Sequence, residues 1–295
     1  MKIKIPAKDG FELAGTLYEP KANARAVVLI SSATAVLRHF YHNFSEFLCH
    51  SGYRVVTYDY RGIGDSRPPS LRGFEARMRD WALLDMAGVL DWLVQNYGIG
   101  DHGERLIHVG HSFGGQGVGL LPDASIIDAM VTFSAQSGYW AIQGGAERYR
   151  VWYAMHLLFP MVSRLLGYFP WSRFAKAEDL PKGVAIEWAR WCRSPEYLLG
   201  DPTLTEHKRY DEFHAPLLAY SFSDDDWGTK RSVDFMMNAY VNASLERRHV
   251  VPAEVGLKRI GHFGFFRPEA KSLWQDVLEW VESSNHSWSF QRQKI

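Results

Sequence analysis

A chain of 295 residues, 46% of them hydrophobic, has the apolar mass for one large α/β domain with an insertion, or for two modest domains. Its 33 Lys and Arg balance its 33 Asp and Glu, so there is no global field to hold nucleic acid or an anionic membrane, and a polyanion partner is not expected. Cys49 and Cys192 are too few for a disulfide scaffold and read as free thiols in a reducing cytoplasm.

The N-terminal run Met1-Lys2-Ile3-Lys4-Ile5-Pro6 alternates like a strand and lacks the apolar core of a signal peptide; no stretch reads as a membrane span. Residues 2–6 and 11–18 flank the turn Lys8-Asp9-Gly10 and predict a hairpin. Strand and helix then alternate. Residues 24–31 read as a buried strand, 42–50 as a helix, 53–60 as a strand and 74–97 as a long amphipathic helix. Strands are expected at 105–110, 126–134, 216–223 and 248–252, and a closing helix from Pro268 to about Glu282, followed by a loose polar tail. Alternating βα units predict a mostly parallel, doubly wound sheet with ligands at the carboxyl ends of its strands.

Residues 138–205 break this rhythm with thirteen Trp, Tyr and Phe among prolines and basic residues, and show no strand pattern. They are expected to form a helical cap on a core made of 1–137 and 206–295. Most of the aromatics would pack the cap onto the core. An interfacial role for residues 151–171 is the weaker alternative, because Pro160 interrupts the run and Arg164 lies within it.

Chemistry concentrates at Gly110-His111-Ser112-Phe113-Gly114, which follows the strand at 105–110 and precedes a helix-like stretch. This is a G-x-S-x-G elbow: the turn lifts a serine hydroxyl off the sheet, and the N–H of Phe113 at the helix start faces the place where an oxyanion would form. No Gly-Lys-Ser/Thr follows, so the glycines are not a phosphate loop, and Pro68 and Pro69 block the helix that a dinucleotide fold needs after Gly62-Ile63-Gly64. A serine nucleophile needs a base, and the base an orienting acid. Both follow in order. Asp224-Asp225-Asp226 ends the strand at 216–223, with Asp225 favoured, Asp226 the alternative and Asp224 behind them; His262 lies between Gly261 and Gly264. His111 is expected to pack or hydrogen-bond behind the nucleophile. His39 and His42 have no third ligand nearby, so no metal is expected, and no cofactor either.

On these motifs, together with Asp59-Tyr60-Arg61-Gly62-Ile63-Gly64-Asp65-Ser66, nearly the whole chain resembles the α/β-hydrolase superfamily, and within it bacterial hydrolases of the serine-aminopeptidase and monoglyceride-lipase-like branch. The resemblance implies that the 59–66 segment is structural, and that a second oxyanion N–H comes from the loop after the first long parallel strand. There the chain departs from the usual His-Gly, reading Ser31-Ser32-Ala33-Thr34-Ala35, so Ala33 or Thr34 would serve. The expectation is a cytoplasmic esterase-like hydrolase acting through acyl-Ser112 on a small, partly apolar ester, with no nucleic-acid partner and no stable membrane insertion, as a monomer or homodimer. An acyltransferase, or a silent binding protein of the same fold, is the alternative.

Overall fold

The computed structural model describes residues 1–100 and 103–292, those beyond 284 by backbone alone. In chain order the strands are β1 (Lys2–Pro6), β2 (Glu12–Tyr18), β3 (Val27–Ser31), β4 (Arg54–Tyr58), β5 (Leu106–His111), β6 (Ala129–Phe133), the short β7 (Tyr168–Phe169) and β8 (Leu180–Pro181), then β9 (Pro216–Phe222) and β10 (Ser244–Val250). Eight of them form one sheet in the order β1-β2-β4-β3-β5-β6-β9-β10. The β1–β2 hairpin joins antiparallel, and every pair from β4 to β10 is parallel.

Strands β3, β5, β6 and β9 are buried from end to end, which is why they are continuous apolar runs rather than alternating ones. Alternate residues feed opposite faces. Leu29, Leu106, Met130 and Leu217 join the core that holds the helix over 78–97. Val28, Ile107, Val131 and Leu218 join the core formed with His42–His50 and with the closing helix Lys271–Arg292.

From β3 the chain winds first to β4 on one side, then returns to place β5 on the other. The crevice therefore opens between β3 and β5, the switch point where α/β sheets bind ligands. Register carries the site outward from there. Ser31 pairs with Gly110, His111 with Phe133, and Phe133 with Tyr220. The loops starting at Ser32, Ser112, Ser134 and Ser223 thus leave one edge of the sheet side by side. Asp59 after β4 braces the first of these: its carboxylate accepts from the Arg38 N–H (2.7 Å) and ion-pairs with the Arg38 guanidinium.

Between β6 and β9 the chain forms the helices Glu147–Tyr153, Phe159–Leu166 and Lys182–Arg193, the first two joined by a π turn over Ala154–Leu158. The absence of strand expected here is corrected by the β7–β8 ribbon, whose two-residue strands are too short to leave a period in sequence. Other boundaries move as well, such as the helix expected from Phe74, which begins at Met78. β10 begins at Ser244, four residues before the expected start, because it is an edge strand in which the charged run Glu246, Arg247 and Arg248 masks the apolar alternation. The closing helix runs on to Arg292, through the stretch expected to be loose.

Candidate active site

At the end of β5 the backbone turns so tightly that Ser112 is held at φ 51°, ψ −115°, a region a side chain rarely adopts. The glycines around it are steric necessities: a Cβ on Gly110 would collide with the Gly115 backbone, and one on Gly114 with the Ser31 carbonyl. The strain is over-determined by hydrogen bonds. Ser112 N–H donates to the Phe133 carbonyl (2.9 Å), and its carbonyl accepts from Gly115 and Gln116 (3.0 and 3.2 Å). Phe113 then opens a short helix, Phe113–Gln116, so its N–H lies among the donors that a helix start leaves without internal partners. Relief of this strain is testable: Ser112→Gly should be more stable than Ser112→Ala by about 1 kcal/mol in urea unfolding, since glycine tolerates the dihedrals.

The acidic triplet after β9 divides its work. Asp225 is buried, with Oδ2 accepting from Ser134 Oγ (2.7 Å) and paired with His262 Nδ1 (2.8 Å); Oδ1 accepts from the N–H groups of Trp227 (3.0 Å) and Gly228 (2.7 Å). Burial alone would raise its pKa, but the imidazole and these donors prevail and hold the carboxyl down at about 2. An ionised acceptor fixes the proton of a neutral His262 on Nδ1 and leaves the Nε2 lone pair free. Asp224 instead grips the histidine loop by its backbone, accepting from Ile260 and Gly261 N–H, each at 2.9 Å. Asp226 offers its main-chain carbonyl to Gly144 (3.0 Å).

His111 tethers the loop from the other side. Ala33 N–H donates to Tyr41 Oη (2.9 Å); the Tyr41 hydroxyl, having one proton, donates to His111 Nδ1 (2.8 Å); and Nε2–H donates to the His262 carbonyl (2.8 Å). Every proton in this chain is assigned because both ends are backbone groups of fixed polarity. Tyr41→Phe would orphan the buried Ala33 N–H and His111 Nδ1 together. A loss of roughly 2–4 kcal/mol is expected in urea unfolding.

Burial, reinforced by the neighbouring His262, pushes the His111 pKa down to about 3; burial does the same for His108, which reaches Ser31 Oγ through Nε2 (2.9 Å). Both are neutral when folded and take up a proton when unfolded, near pH 6.5. Their contribution is fully present above that pH and is lost as pH falls toward 3. Stability should therefore drop by up to about 2.7 kcal/mol per pH unit below pH 6, before carboxylates titrate, as read from the urea midpoint against pH.

Ser112 and His262 both line a cavity of about 540 Å³. The rest of its wall is largely apolar and comes from the 147–188 stretch, with Val151, Met155, Phe159, Trp171 and Trp188 prominent; Trp227 and Phe263 close it from the main sheet side. Thr34 and Ala33 also reach the cavity. Of the expected site residues, Asp225 and His262 are in direct contact, while the Ser112 hydroxyl has as its neighbour the Gln136 side-chain amide at 3.4 Å rather than the imidazole. Gln136 escaped sequence reasoning. Its amide is satisfied at both ends when the nitrogen donates to the Ser134 carbonyl and the oxygen accepts from the Trp227 indole. Ser134 and Tyr41 escaped it as well, and Asp224, weighed only as the least favoured acid, instead holds the histidine loop. The available signal was position: Ser134 and Gln136 follow the carboxyl end of the strand beside β5.

A model of the alpha/beta hydrolase family matches residues 27–271. No curated protein matches the chain. Solved structures match over 96% of it at low identity. An esterase from Exiguobacterium antarcticum is 16% identical, covered over 100% of its length, with a TM-score of 0.61. Est1E from Butyrivibrio proteoclasticus, solved with ferulic acid, is 15% identical, with 99% covered and a TM-score of 0.59. A thermophilic esterase from Thermogutta terrifontis, solved with malate, is 16% identical, with 99% covered and a TM-score of 0.55.

Proposed function

Because the chain belongs to the alpha/beta hydrolase family, we propose that it is a serine hydrolase cleaving carboxylic esters through an acyl-Ser112 intermediate. The observation that carries this reading is the buried, ionised Asp225 holding His262 in the tautomer whose Nε2 is a base, at a cavity that also contains the strained Ser112. We further place the chain in the serine-aminopeptidase and monoglyceride-lipase-like branch, on the motifs that suggested it.

In this reading Ser112 Oγ attacks the ester carbonyl carbon as His262 Nε2 takes its proton. The tetrahedral oxyanion is held by the N–H of Phe113 and a second N–H from the loop after β3. Thr34 is the better donor of the two candidates there, since the Ala33 N–H is already committed to Tyr41. Collapse expels the alcohol, which leaves with the proton from His262. Water then attacks the acyl group, giving one proton to His262 and onward to Ser112 as the carboxylic acid departs. The 138–205 segment acts as the cap, and its aromatic wall selects an apolar acyl or aryl portion.

A p-nitrophenyl ester series from acetate to laurate tests this. Turnover with a maximum at an intermediate or long acyl chain is expected; absence of turnover across the series would count against an esterase.

A further inference from the structure

We propose that the outer face of residues 148–176 docks on an anionic lipid surface and sets the cavity mouth against it, so that the substrates are acyl esters held in that surface. The substrate clause rests on the esterase reading above; the docking does not.

The chain as a whole is neutral, but its charge is not evenly spread. Between Arg148 and Lys176 stand five cations, with Arg150, Arg164 and Arg173 among them, and not one Asp or Glu. Only Arg150 has a carboxylate partner, Glu147 at 3.0 Å; among the described residues the other four have none in ion-pair range. The same segment holds seven of the eleven exposed large hydrophobic side chains among the described residues. Tyr149, Tyr153, Leu157, Met161 and Leu165 recur every fourth residue along 147–166 and form one stripe, with Leu165 79% exposed. Phe174, 64% exposed, adds to the same segment. The opposite side of these helices is already used: Val151, Met155 and Phe159 are buried in the core.

An exposed face that mixes arginines with Trp, Tyr and Leu, and carries no acid, is matched by the interfacial region of an anionic bilayer. A second copy of the chain fits poorly, because a two-fold contact through this face would set its arginines against themselves with no carboxylate between. No helix among the described residues is long and apolar enough to cross a membrane, so the contact is peripheral. Continuity with the site gives the face its use. Arg150, Tyr153 and Phe174 are exposed and also line the cavity with Ser112, so this face borders the cavity. An ester in a lipid surface would enter without first crossing water.

The test is co-sedimentation of the full-length Ser112→Ala protein with vesicles of phosphatidylglycerol and phosphatidylcholine in equal parts, against phosphatidylcholine alone. Ser112→Ala keeps hydrolysis out of the readout, so docking is judged whether or not the chain is an esterase. Binding to the anionic vesicles is expected, weakened at least about ten-fold by salt near 0.5 M, by Arg148→Glu with Arg164→Glu, and by Met161→Glu with Leu165→Glu. None of those four side chains lines the cavity, so in the Ser112 background turnover of a short soluble ester should stay unchanged. Absence of vesicle binding, or equal binding by both pairs of variants, would overturn the proposal. So would sedimentation velocity showing a dimer that the same substitutions dissociate.

Discussion

Ser112→Ala is expected to lower kcat/KM on p-nitrophenyl butyrate by at least about 10⁴-fold while leaving the urea midpoint nearly unchanged. The magnitude follows from the role: without Oγ no acyl-enzyme forms, and what remains is catalysis by the oxyanion donors acting on water. The small effect on stability follows from the structure. Alanine keeps the Cβ and with it the strained dihedrals, and the backbone bonds to Phe133, Gly115 and Gln116 do not involve the hydroxyl. Only the 3.4 Å contact to Gln136 is lost. A variant that folds but keeps its activity would place the nucleophile elsewhere.

Asp225→Asn should cost about 10³–10⁴-fold in kcat, because the amide can donate to Nδ1 and so favour the tautomer whose Nε2 carries the proton. Its neighbours are internal controls. Asp226→Asn touches only a side chain whose backbone does the bonding to Gly144, and should change kcat less than about two-fold. Asp224→Asn keeps one acceptor oxygen for the Ile260 and Gly261 N–H groups and should fall between. The same substitution has a pH signature. Asp225 is ionised down to about pH 2 when folded, against an ordinary value of 3.8, so its contribution is present above pH 3.8 and lost as pH falls toward 2. That window corresponds to about 2 kcal/mol, and its loss should be missing from the acid unfolding curve of Asp225→Asn. Equal losses for all three asparagine variants would contradict the division of labour in the triplet.

Much of this arrangement was legible before any coordinates, for reasons tied to particular residues. The elbow announces itself because two steric collisions allow only glycine at positions 110 and 114. Val27 to Ile30 and Leu106 to Val109 read as buried strands because parallel strands packed on both faces need no polar alternation. The serine, acid and histidine could be ordered because each ends a strand or a loop of one winding. What stayed hidden depends on contacts between distant segments. Nothing local marks Tyr41, on the turn before the His42–His50 helix, as the hydroxyl that links Ala33 to His111. Asp224 reads only as the least favoured acid of the triplet until the histidine loop arrives 36 residues later to use both its oxygens. Asp225 was favoured over Asp226 by its place in the loop alone; the turn that aims the Trp227 and Gly228 N–H groups at its carboxylate was not legible. The charge balance of the whole chain likewise masked the local excess of cations on the 148–176 face.

In the proposed mechanism Ser112 is the nucleophile and His262 activates it. Labelling the folded protein with a fluorophosphonate and locating the adduct by peptide mass tests it without knowledge of the natural substrate. A single adduct on the peptide containing Ser112 is expected, abolished by Ser112→Ala and slowed at least about 10³-fold by His262→Ala. An adduct on another residue, or labelling of Ser112 at an unchanged rate in the His262→Ala protein, would contradict it.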